Sequence, residues 1–474
     1  MAEDKTQLAV VGGGPGGYAA AFMAADLGLE VALIDPEENP GGVCLYRGCI
    51  PSKALLHAAR VITESREAEN FGIAFGKPKV RIEKLREWKN GVVSQLTGGL
   101  GQLVSRRKIR HIRATAAFAD DHALTVEDTD GKESRLSFEH AIVATGSRPT
   151  LLPDFDVESD RFMTSSEALD LHDVPKKLLV IGGGYIGLEI GTVYAALGSA
   201  VTVVEMTGGL LPGVDKDLVR IVKKRLAENF SEILLETKVV EFKEQKNGIL
   251  ATLEDAEGSR QNRLFDKVLA AVGRRPNSED LGLENIGVEL DDRGFVKVDN
   301  QQRTGVSTVF AIGDVAGEPM LAHKASYEGR LAAEVINGRN IVRDYAAIPA
   351  VVFTDPEIAW AGLTEAEAKK QGRKVEVARF PWAASGRALT LGRTDGLTKL
   401  LVDKKSERIL GIGIAGVGAG ELIAEGVVAI EMGAAAQDLG LTIHPHPTLT
   451  ETLMEAADAF EGTATHIYRP KKNK

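Results

Sequence analysis

Apolar and glycine-rich stretches follow one another in a fixed order at the start of the chain. An apolar run at residues 8–11 meets a glycine-rich turn at 12–17, an alanine-rich segment follows, and Glu30 begins a second strand-like run whose residues 31–34 are apolar and which ends at Asp35. A short apolar run, a glycine turn and then small apolar residues predict a buried strand, a tight turn and a helix. The pattern therefore predicts a strand–turn–helix–strand unit with a carboxylate at the end of its second strand.

The same order returns later in the chain. The strand-like run 177–181 is apolar after Lys177, residues 182–187 are glycine-rich, a helical segment follows, and the mostly apolar run 200–204 ends at Glu205. In both copies the acid lies 18 residues after the last glycine of the turn. Such glycines let the backbone approach a pyrophosphate at a helix N-terminus, and the carboxylate can bind a ribose hydroxyl. Two complete units predict two bound dinucleotides.

The only two cysteines of the 474 residues, Cys44 and Cys49, lie in the stretch 41–53. A structural disulfide is typical of small secreted domains, and a zinc site needs further ligands that this stretch lacks. On a regular helix, residues five apart are roughly 8 to 9 Å apart, whereas a disulfide tolerates at most about 7 Å between Cα atoms. The backbone must then bend, which the glycines at 41, 42 and 48 permit. We expect a reducible, redox-active disulfide.

The position of the cysteines indicates which dinucleotide lies where. They follow Asp35 closely, so the first dinucleotide should lie beside the disulfide. A disulfide accepts hydride poorly without a relay, and a flavin is the usual relay. We therefore assign FAD to the first unit and the nicotinamide nucleotide to the second. Glu205 would bind a free 2′-hydroxyl and repel a 2′-phosphate, and residues 206–209 contain no arginine, so NAD is expected rather than NADP. Replacing Glu205 by arginine should erode that preference.

The remaining segments organise the chain around these units. Two similar pieces, 141–149 and 268–276, each run from an apolar strand through glycine to a basic residue and proline, which predicts that the second unit is inserted into the first. From residue 348 a strand, a capped helix beginning at Thr364 and a hairpin over 397–414 predict a separate α+β domain. The expected fold is α/β, with two Rossmann-like domains and a C-terminal dimerisation domain. The predicted boundaries are 1–150 and 279–347 for the FAD-binding domain, 151–278 for the NAD-binding domain and 348–474 for the dimerisation domain.

Composition excludes several classes of protein. Hydrophobic residues make up 44% of the chain and charged residues 26%, which is typical of a soluble globular protein. The net charge of −10 argues against nucleic-acid or anionic-membrane binding. The N-terminal residues resemble no export signal and no apolar run is long enough to span a membrane, so a cytoplasmic protein without a metal site is expected.

Two further positions carry candidate chemistry. Asp314 ends the apolar run 309–312, where it is either an ordinary turn residue or an acceptor for the ribityl hydroxyls of a flavin. His446 stands between two prolines, and Glu451 is close enough in the chain to orient its ring. A histidine oriented by a carboxylate is a candidate general base.

With these motifs in view, the chain resembles the flavin disulfide reductases over nearly its whole length. The resemblance implies a homodimer that oxidises dihydrolipoamide carried on the lipoyl domains of an acyltransferase or of a glycine-cleavage carrier protein and passes hydride to NAD. It implies that Cys44 exchanges with substrate thiols and Cys49 faces the flavin as the charge-transfer thiol. His446, from the other subunit and oriented by Glu451, would deprotonate the substrate. The implied cofactor-binding residues are Gly12, Gly14, Gly17, Asp35, Gly42, Thr145, Gly146, Asp314 and Ala322, the pair Lys53 and Glu189 near the flavin N5, and Gly182, Gly184, Gly187, Glu205, Val239 and Gly273.

Three positions depart from the family pattern. Tyr46 and Arg47 stand where many members have Asn-Val, and Tyr185 stands where glutathione reductases also have tyrosine. A glutathione-reductase-like disulfide reductase therefore remains the alternative, although Ser52 and Glu205 favour the lipoamide branch. Members that need a second thiol pair are excluded, because the chain has only two cysteines.

Overall fold

The computed structural model describes residues 4–152 and 159–468. The first three residues, on which the expectation of no export signal partly rests, lie outside them. The α-helices are, in chain order, α1 Pro15–Asp26, α2 Gly42–Arg47, α3 Cys49–Glu67, α4 Ile82–Arg106, α5 Ser165–Asp170, α6 Tyr185–Leu197, α7 Lys216–Asn229, α8 Ala322–Ile336, α9 Glu365–Lys370, α10 Gly386–Thr390, α11 Ala419–Glu431, α12 Ala436–Leu441 and α13 Glu451–Glu461.

The strands are, in chain order, β1 Asp4–Val11, β2 Val31–Ile34, β3 Arg110–Ile112, β4 Ala114–Asp120, β5 Ala123–Asp128, β6 Glu133–Val143, β7 Ser147–Pro149, β8 Phe162–Met163, β9 Lys177–Ile181, β10 Ala200–Val204, β11 Glu232–Leu234, β12 Lys238–Gln245, β13 Gly248–Glu254, β14 Arg260–Phe265, β15 Lys267–Ala270, β16 Arg274–Pro276, β17 Val309–Ala311, β18 Ala350–Val352, β19 Glu357–Gly362, β20 Val375–Pro381, β21 Leu397–Asp403 and β22 Ile409–Gly416.

The first sheet combines parallel and antiparallel strands in the order β3-β2-β1-β6-β5-β4. Its parallel part includes β17, which pairs with the end of β6 although it comes much later in the chain. The central strand β1 is buried on both faces, because Leu8 and Val10 belong to one apolar cluster and Ala9 and Val11 to another. This explains why β1 reads as a continuous apolar run rather than an alternating one.

Helices α1 and α8 lie on one face of this sheet and pack very closely against each other. A Cβ added at Gly329 would lie 2.4 Å from the carbonyl oxygen of Gly16, so the two helices touch through their glycines. This packing brings the N-terminus of α8, at Ala322, to the glycine-rich turn that precedes α1.

The second sheet is parallel throughout, in the order β11-β10-β9-β15-β8. Strand β9, the turn, α6 and β10 repeat the arrangement of β1, α1 and β2, as the sequence predicts. An antiparallel sheet, β12-β13-β14, lies beside it.

The segments that leave the two parallel sheets pair with each other. Strand β7 follows β6, strand β16 follows β15, and the two form an antiparallel ribbon in which Arg275 faces Arg148. The second unit therefore leaves and rejoins the first at neighbouring strands, as expected for an insertion.

The C-terminal part is an antiparallel sheet in the order β18-β19-β22-β21-β20, packed against α11 and α13. The predicted capping box is present: the Thr364 hydroxyl accepts a hydrogen bond from the backbone of Glu367, whose carboxylate accepts one from the backbone of Thr364. The predicted hairpin is β21 and β22.

Charged side chains join the second unit to this C-terminal sheet. The Lys399 ammonium, 1% exposed, lies 2.6 Å from Asp215, 2.8 Å from Asp217 and 2.7 Å from Glu365. Among the described residues these carboxylates are the one group close enough to hold a metal ion. Lys399 already supplies the cation that the three carboxylates share, so the cluster is an ion-pair network between domains.

Across residues 4–152 and 159–468, no helix combines the length and the apolar character needed to cross a membrane.

Candidate active site

The two cysteines lie on either side of a break between two helices. Cys44 is in the middle of α2, and Cys49 is the first residue of α3. Gly48 separates the helices with φ −139° and ψ −114°, and a Cβ at Gly48 would lie 2.9 Å from the carbonyl oxygen of Val43. The bend that the cysteine spacing requires is therefore located at a position that only glycine fits comfortably.

The two thiols are unbonded in this structure and differ in acidity. The Cys44 thiol donates a hydrogen bond to Cys49. That hydrogen bond is the largest cause lowering the pKa of Cys49 to about 7; burial opposes it, and the Lys53 ammonium lowers the pKa further. The same hydrogen bond, together with burial, raises the pKa of Cys44 well above its ordinary value. The pair therefore holds its negative charge on Cys49, at the N-terminus of α3, where a helix favours an anion.

Lys53 lies one turn after Cys49 on α3 and is paired with a buried carboxylate. Its ammonium is 2.7 Å from Glu189, whose side chain is only 4% exposed. The Ser52 hydroxyl donates to the same carboxylate oxygen at 3.0 Å. The predicted Lys53–Glu189 pair is thus present as a contact between α3 and α6.

Both cysteines open onto a cavity of about 510 Å³ that is lined by residues of the first sheet, α3 and α6. Of the predicted site residues, it is lined by Gly12, Gly14, Asp35, Gly42, Cys44, Cys49, Lys53, Thr145, Gly146, Glu189, Asp314 and Ala322. The structure therefore gathers the residues predicted for the first dinucleotide and the redox pair into one site.

The glycine-rich turn at one end of this cavity has the geometry that a dinucleotide needs. Gly12 has φ +108°, and a Cβ there would lie 2.3 Å from the carbonyl oxygen of Ala144. Helix α1 begins directly after Gly14, so its free backbone N–H groups point toward the cavity. The Asp35 carboxylate accepts hydrogen bonds from the backbone N–H of Gly13 at 2.5 Å and of Glu37 at 3.0 Å. Burial raises the pKa of Asp35, and these bonds oppose the rise.

The second glycine-rich turn repeats these contacts almost atom for atom. Gly182 has φ +106°, and its added Cβ would lie 2.3 Å from the carbonyl oxygen of Ala271. The Glu205 carboxylate accepts hydrogen bonds from the backbone N–H of Gly183 at 2.7 Å and of Thr207 at 2.8 Å. Helix α6 begins after Gly184. The residues present fit a second dinucleotide as well as the first.

The third glycine of each turn has a packing role rather than a place in the cavity. A Cβ at Gly17 would lie 1.8 Å from the carbonyl oxygen of Gly12, and a Cβ at Gly187 would lie 2.4 Å from that of Gly182. These glycines let each helix approach its turn.

Asp314 is held by residues that the sequence did not single out. The Ser147 hydroxyl donates to its carboxylate at 2.6 Å, and Arg274 in turn donates to Ser147 at 2.8 Å. The preceding Gly313 donates its backbone N–H to the buried Glu328 at 2.8 Å, and Glu328 is paired with the buried Lys324. Ser147 and Arg274 lie in the polar segments that follow β6 and β15, and this position after an apolar strand is the sequence pattern that points to them.

Thr145 and Gly146 are fixed by a residue from the other exit segment. Asn277 donates its side-chain amide to the carbonyl of Thr145 at 2.9 Å and its backbone N–H to that of Gly146 at 2.9 Å. The Thr145 hydroxyl donates back to the carbonyl of Asn277 at 2.6 Å.

None of the predicted NAD-side residues lines this cavity: Gly182, Gly184, Gly187, Glu205, Val239 and Gly273 all lie outside its lining. Val239 is half-buried against the apolar cluster around the second sheet. Gly273 has φ +128° and accepts a hydrogen bond from the backbone N–H of Thr150 at 3.0 Å. Tyr185, by contrast, does line the cavity as the first residue of α6, and burial raises its pKa to about 12.

His446 and Glu451 form the expected pair but do not line the cavity within their own chain. The Nδ1 atom of His446 lies 2.9 Å from Glu451, and the other oxygen of that carboxylate accepts the backbone N–H of Thr448 at 2.7 Å. Burial raises the pKa of Glu451, but the bonds from Thr448 and His446 outweigh it, so the net direction is downward. The His446 side chain is 73% exposed, so its Nε2 faces outward from the subunit.

This arrangement matches a known family in two blocks. Residues 6–329 match the model of the pyridine nucleotide-disulphide oxidoreductases, and residues 348–457 match the dimerisation domain of the same family. The chain belongs to the pyridine nucleotide-disulphide oxidoreductase family. It is an oxidoreductase whose cofactors are FAD and NAD.

Members of this family with curated names match along the whole chain. A dihydrolipoyl dehydrogenase from Vibrio cholerae is 48% identical over 472 residues, which cover 100% of this chain and 99% of that relative. A dihydrolipoyl dehydrogenase from Geobacillus stearothermophilus is 47% identical over 463 residues, 98% of each chain.

Solved structures of the family have the same fold. LpdA from Mycobacterium tuberculosis has a TM-score of 0.88 and 26% identity and covers 96% of this chain and 99% of its own. The HOCl-induced flavoprotein disulfide reductase RclA from Escherichia coli, solved as a copper(II) complex, has a TM-score of 0.85 and 27% identity and covers 96% of this chain and 99% of its own.

Proposed function

We propose that this protein oxidises protein-bound dihydrolipoyl groups to the cyclic disulfide and passes the electrons through FAD to NAD. The observation that carries the proposal is the unequal thiol pair at the FAD cavity, with the charge on Cys49 beside Lys53 and the proton on Cys44. The curated names of the relatives support the same activity.

The sulfur chemistry is assigned to Cys44, Cys49 and His446. His446 of the other subunit takes a proton from one substrate thiol, and the resulting thiolate attacks Cys44 of the disulfide form. A substrate–Cys44 bond forms, the Cys44–Cys49 bond breaks, and Cys49 leaves as a thiolate. Its low pKa makes it the better leaving group.

A second exchange completes the oxidation of the substrate. The remaining substrate thiol attacks the substrate sulfur of the mixed disulfide, which closes the cyclic disulfide and releases Cys44. Cys44 takes up the proton held by His446, and His446 receives that of the attacking thiol. The products are the cyclic disulfide, the Cys44 thiol, the Cys49 thiolate and one proton on His446.

The cofactors are held by the residues around the two glycine turns. The flavin of FAD, when bound, accepts the electron pair from the thiol side and supplies it as hydride to NAD. The first turn, Asp35 and Asp314 would bind FAD, with Lys53 and Glu189 at its reactive end. The second turn and Glu205 would bind NAD, because a carboxylate accepts a ribose 2′-hydroxyl and repels a 2′-phosphate.

The proposed setting is a cytoplasmic homodimer that serves lipoyl domains. The match to a dimerisation domain supports the homodimer. The chain's only two cysteines are both at the proposed redox site, which suits a compartment where other thiols stay reduced.

A comparison of four substrate pairs tests this function. The purified yellow protein should reduce lipoamide with NADH much faster than with NADPH, and should reduce glutathione disulfide poorly with either. Tyr185 at the cavity is the position that resembles glutathione reductases rather than the lipoamide branch, so efficient glutathione reduction with NADPH would favour that alternative and reject the lipoyl assignment.

A further inference from the structure

The carboxylate of Glu189, on α6, accepts hydrogen bonds from α3 and from the residue that follows β18. One oxygen accepts hydrogen bonds from Ser52 and Lys53 of α3. The other oxygen accepts the backbone N–H of Phe353 at 2.9 Å. Phe353 directly follows β18 in the C-terminal sheet, so this sheet contacts the redox site within its own chain.

The side chain of Phe353 makes a second contact to the same pair. The Lys53 ammonium lies 4.5 Å from the centroid of the Phe353 ring. This is within the distance at which a ring face attracts a cation, and the attraction grows when the cation is partly removed from water. The Lys53 side chain is 33% exposed, and the ring is half-buried against the apolar cluster shared by α3 and α6.

The location of the Lys53 charge matters for the thiols. Lys53 is four residues after Cys49 on one helix, hence on the same face. A lysine has a flexible stem, and the Glu189 contact alone leaves its ammonium free to rotate about one oxygen. The ring of Phe353 is a second contact to the ammonium and restricts that freedom.

We propose that Phe353 is a positioning residue that holds the Lys53 ammonium where it stabilises the Cys49 thiolate, so that the dimerisation domain sets the reactivity of the redox pair in its own subunit. The inference rests on the proposed function, in which Cys49 faces the flavin. Electrostatics agree with it, since Lys53 is among the groups that lower the pKa of Cys49.

The test uses the two-electron-reduced protein with bound FAD, in which a Cys49 thiolate beside the flavin gives a long-wavelength absorbance band. The intensity of this thiolate band is measured as pH is varied, and the pH at half intensity is the midpoint. The variant F353L keeps an apolar side chain but removes the ring face, and it should move the midpoint of the thiolate band upward by roughly 0.3 to 1 pH unit. F353Y keeps the ring and should match the unmodified protein. F22L is the matched control, because Phe22 faces Arg107 at 4.7 Å in a pair of the same kind on α1, and it should leave the midpoint unchanged.

A double-variant cycle separates positioning from packing. In a K53M background, F353L should produce no further shift, because the cation it acts through is gone. An unchanged midpoint in F353L, or an equal shift in the K53M background, overturns the role of Phe353. If the unmodified protein shows no such band at all, the proposed role of Cys49 fails and this inference fails with it.

Discussion

At the residue scale, the site depends on an asymmetry between two identical side chains. Cys44 lies within one helix and Cys49 begins the next, and the hydrogen bond between them is the largest cause that raises the pKa of Cys44 and lowers that of Cys49. The sequence predicts the pair, its bend and the acid at the end of each second strand. It does not predict Asn277, Ser147 or Phe353, because each acts on a residue more than 100 positions away and has no local pattern.

The hydrogen bond from Cys44 can be tested with Cys49 as the only cysteine. Cys44→Ser keeps a hydroxyl donor, whereas Cys44→Ala removes it. We expect the pH midpoint for alkylation of Cys49 by iodoacetamide to be higher in Cys44→Ala by about 0.5 to 1 unit, the usual worth of one such bond. Equal midpoints would show that Lys53 and the helix terminus alone set the acidity. Both variants should retain FAD and lose lipoamide turnover.

Replacing the proposed base should affect chemistry and spare cofactor binding. His446→Gln is expected to lower the rate of dihydrolipoamide oxidation on the order of 10² to 10⁴, the usual range for a lost general base. Steady-state kinetics measure the loss, and flavin content serves as the control, since His446 does not line the FAD cavity. His172, an exposed histidine beside Asp170, offers a matched substitution that should leave the rate unchanged.

At the element scale, α3 links the parts of the molecule. Its N-terminus carries Cys49 and Lys53, and at its C-terminus Glu67 pairs with Arg225 of α7. The glycine turns, their strands and helices follow from local pattern. The local pattern does not predict that the cysteine stretch is mostly helical. The cysteine spacing excludes only one continuous helix, and it is compatible with two helices that are separated at Gly48.

The Lys399 network should contribute to the stability of the contact between α7 and the C-terminal sheet. Lys399→Met leaves the three carboxylates with Arg379 as the remaining cation. Removing one partner of a buried ion pair lowers the free energy of unfolding by about 3 to 5 kcal/mol. Chemical denaturation should show this loss. Lys297→Met removes an exposed pair with Glu289 and should change stability by only about 0 to 1 kcal/mol.

The pH dependence of that loss has a definite sign. Burial raises the pKa of Asp217, but the bonds from Lys399 and Arg379 outweigh it and hold the pKa below its ordinary value of 3.8. A depressed carboxylate pKa adds stability that is full above the ordinary value and is lost as pH falls through the folded one. The difference between the unmodified protein and Lys399→Met should therefore shrink below about pH 4.

At the scale of the whole molecule, the proposed mechanism needs two subunits, because His446 does not line the cavity of its own chain. His446 is exposed, and the same C-terminal part of the chain leaves the apolar side chains of Val428, Met432, Leu441 and Ile443 exposed, Ile443 by 96%. Several large apolar side chains left exposed in one part of the chain favour an interface with a partner. The match to a dimerisation domain over the same residues makes a second copy the expected partner.

Mixed dimers decide whether His446 acts across that interface. A heterodimer of one Cys44→Ser chain and one His446→Gln chain, purified with two different tags, would contain one intact site only if the histidine serves the partner's cysteines. We expect about half of the unmodified activity, as two-fold symmetry requires. Near-zero activity would place His446 in the site of its own chain.

The ribbon of β7 and β16 has a consequence for how such an enzyme can be altered. The chain enters and leaves the second nucleotide unit through the paired strands β7 and β16. The unit is therefore a cassette that could be replaced as a whole by joining a new one at these two strands. A cassette with a different coenzyme preference could be transplanted there if it kept the residues that line the FAD cavity, such as Glu189. It would have to carry its own equivalents of Glu189, Asp215, Asp217 and Arg225, because these side chains form ion pairs with the rest of the molecule.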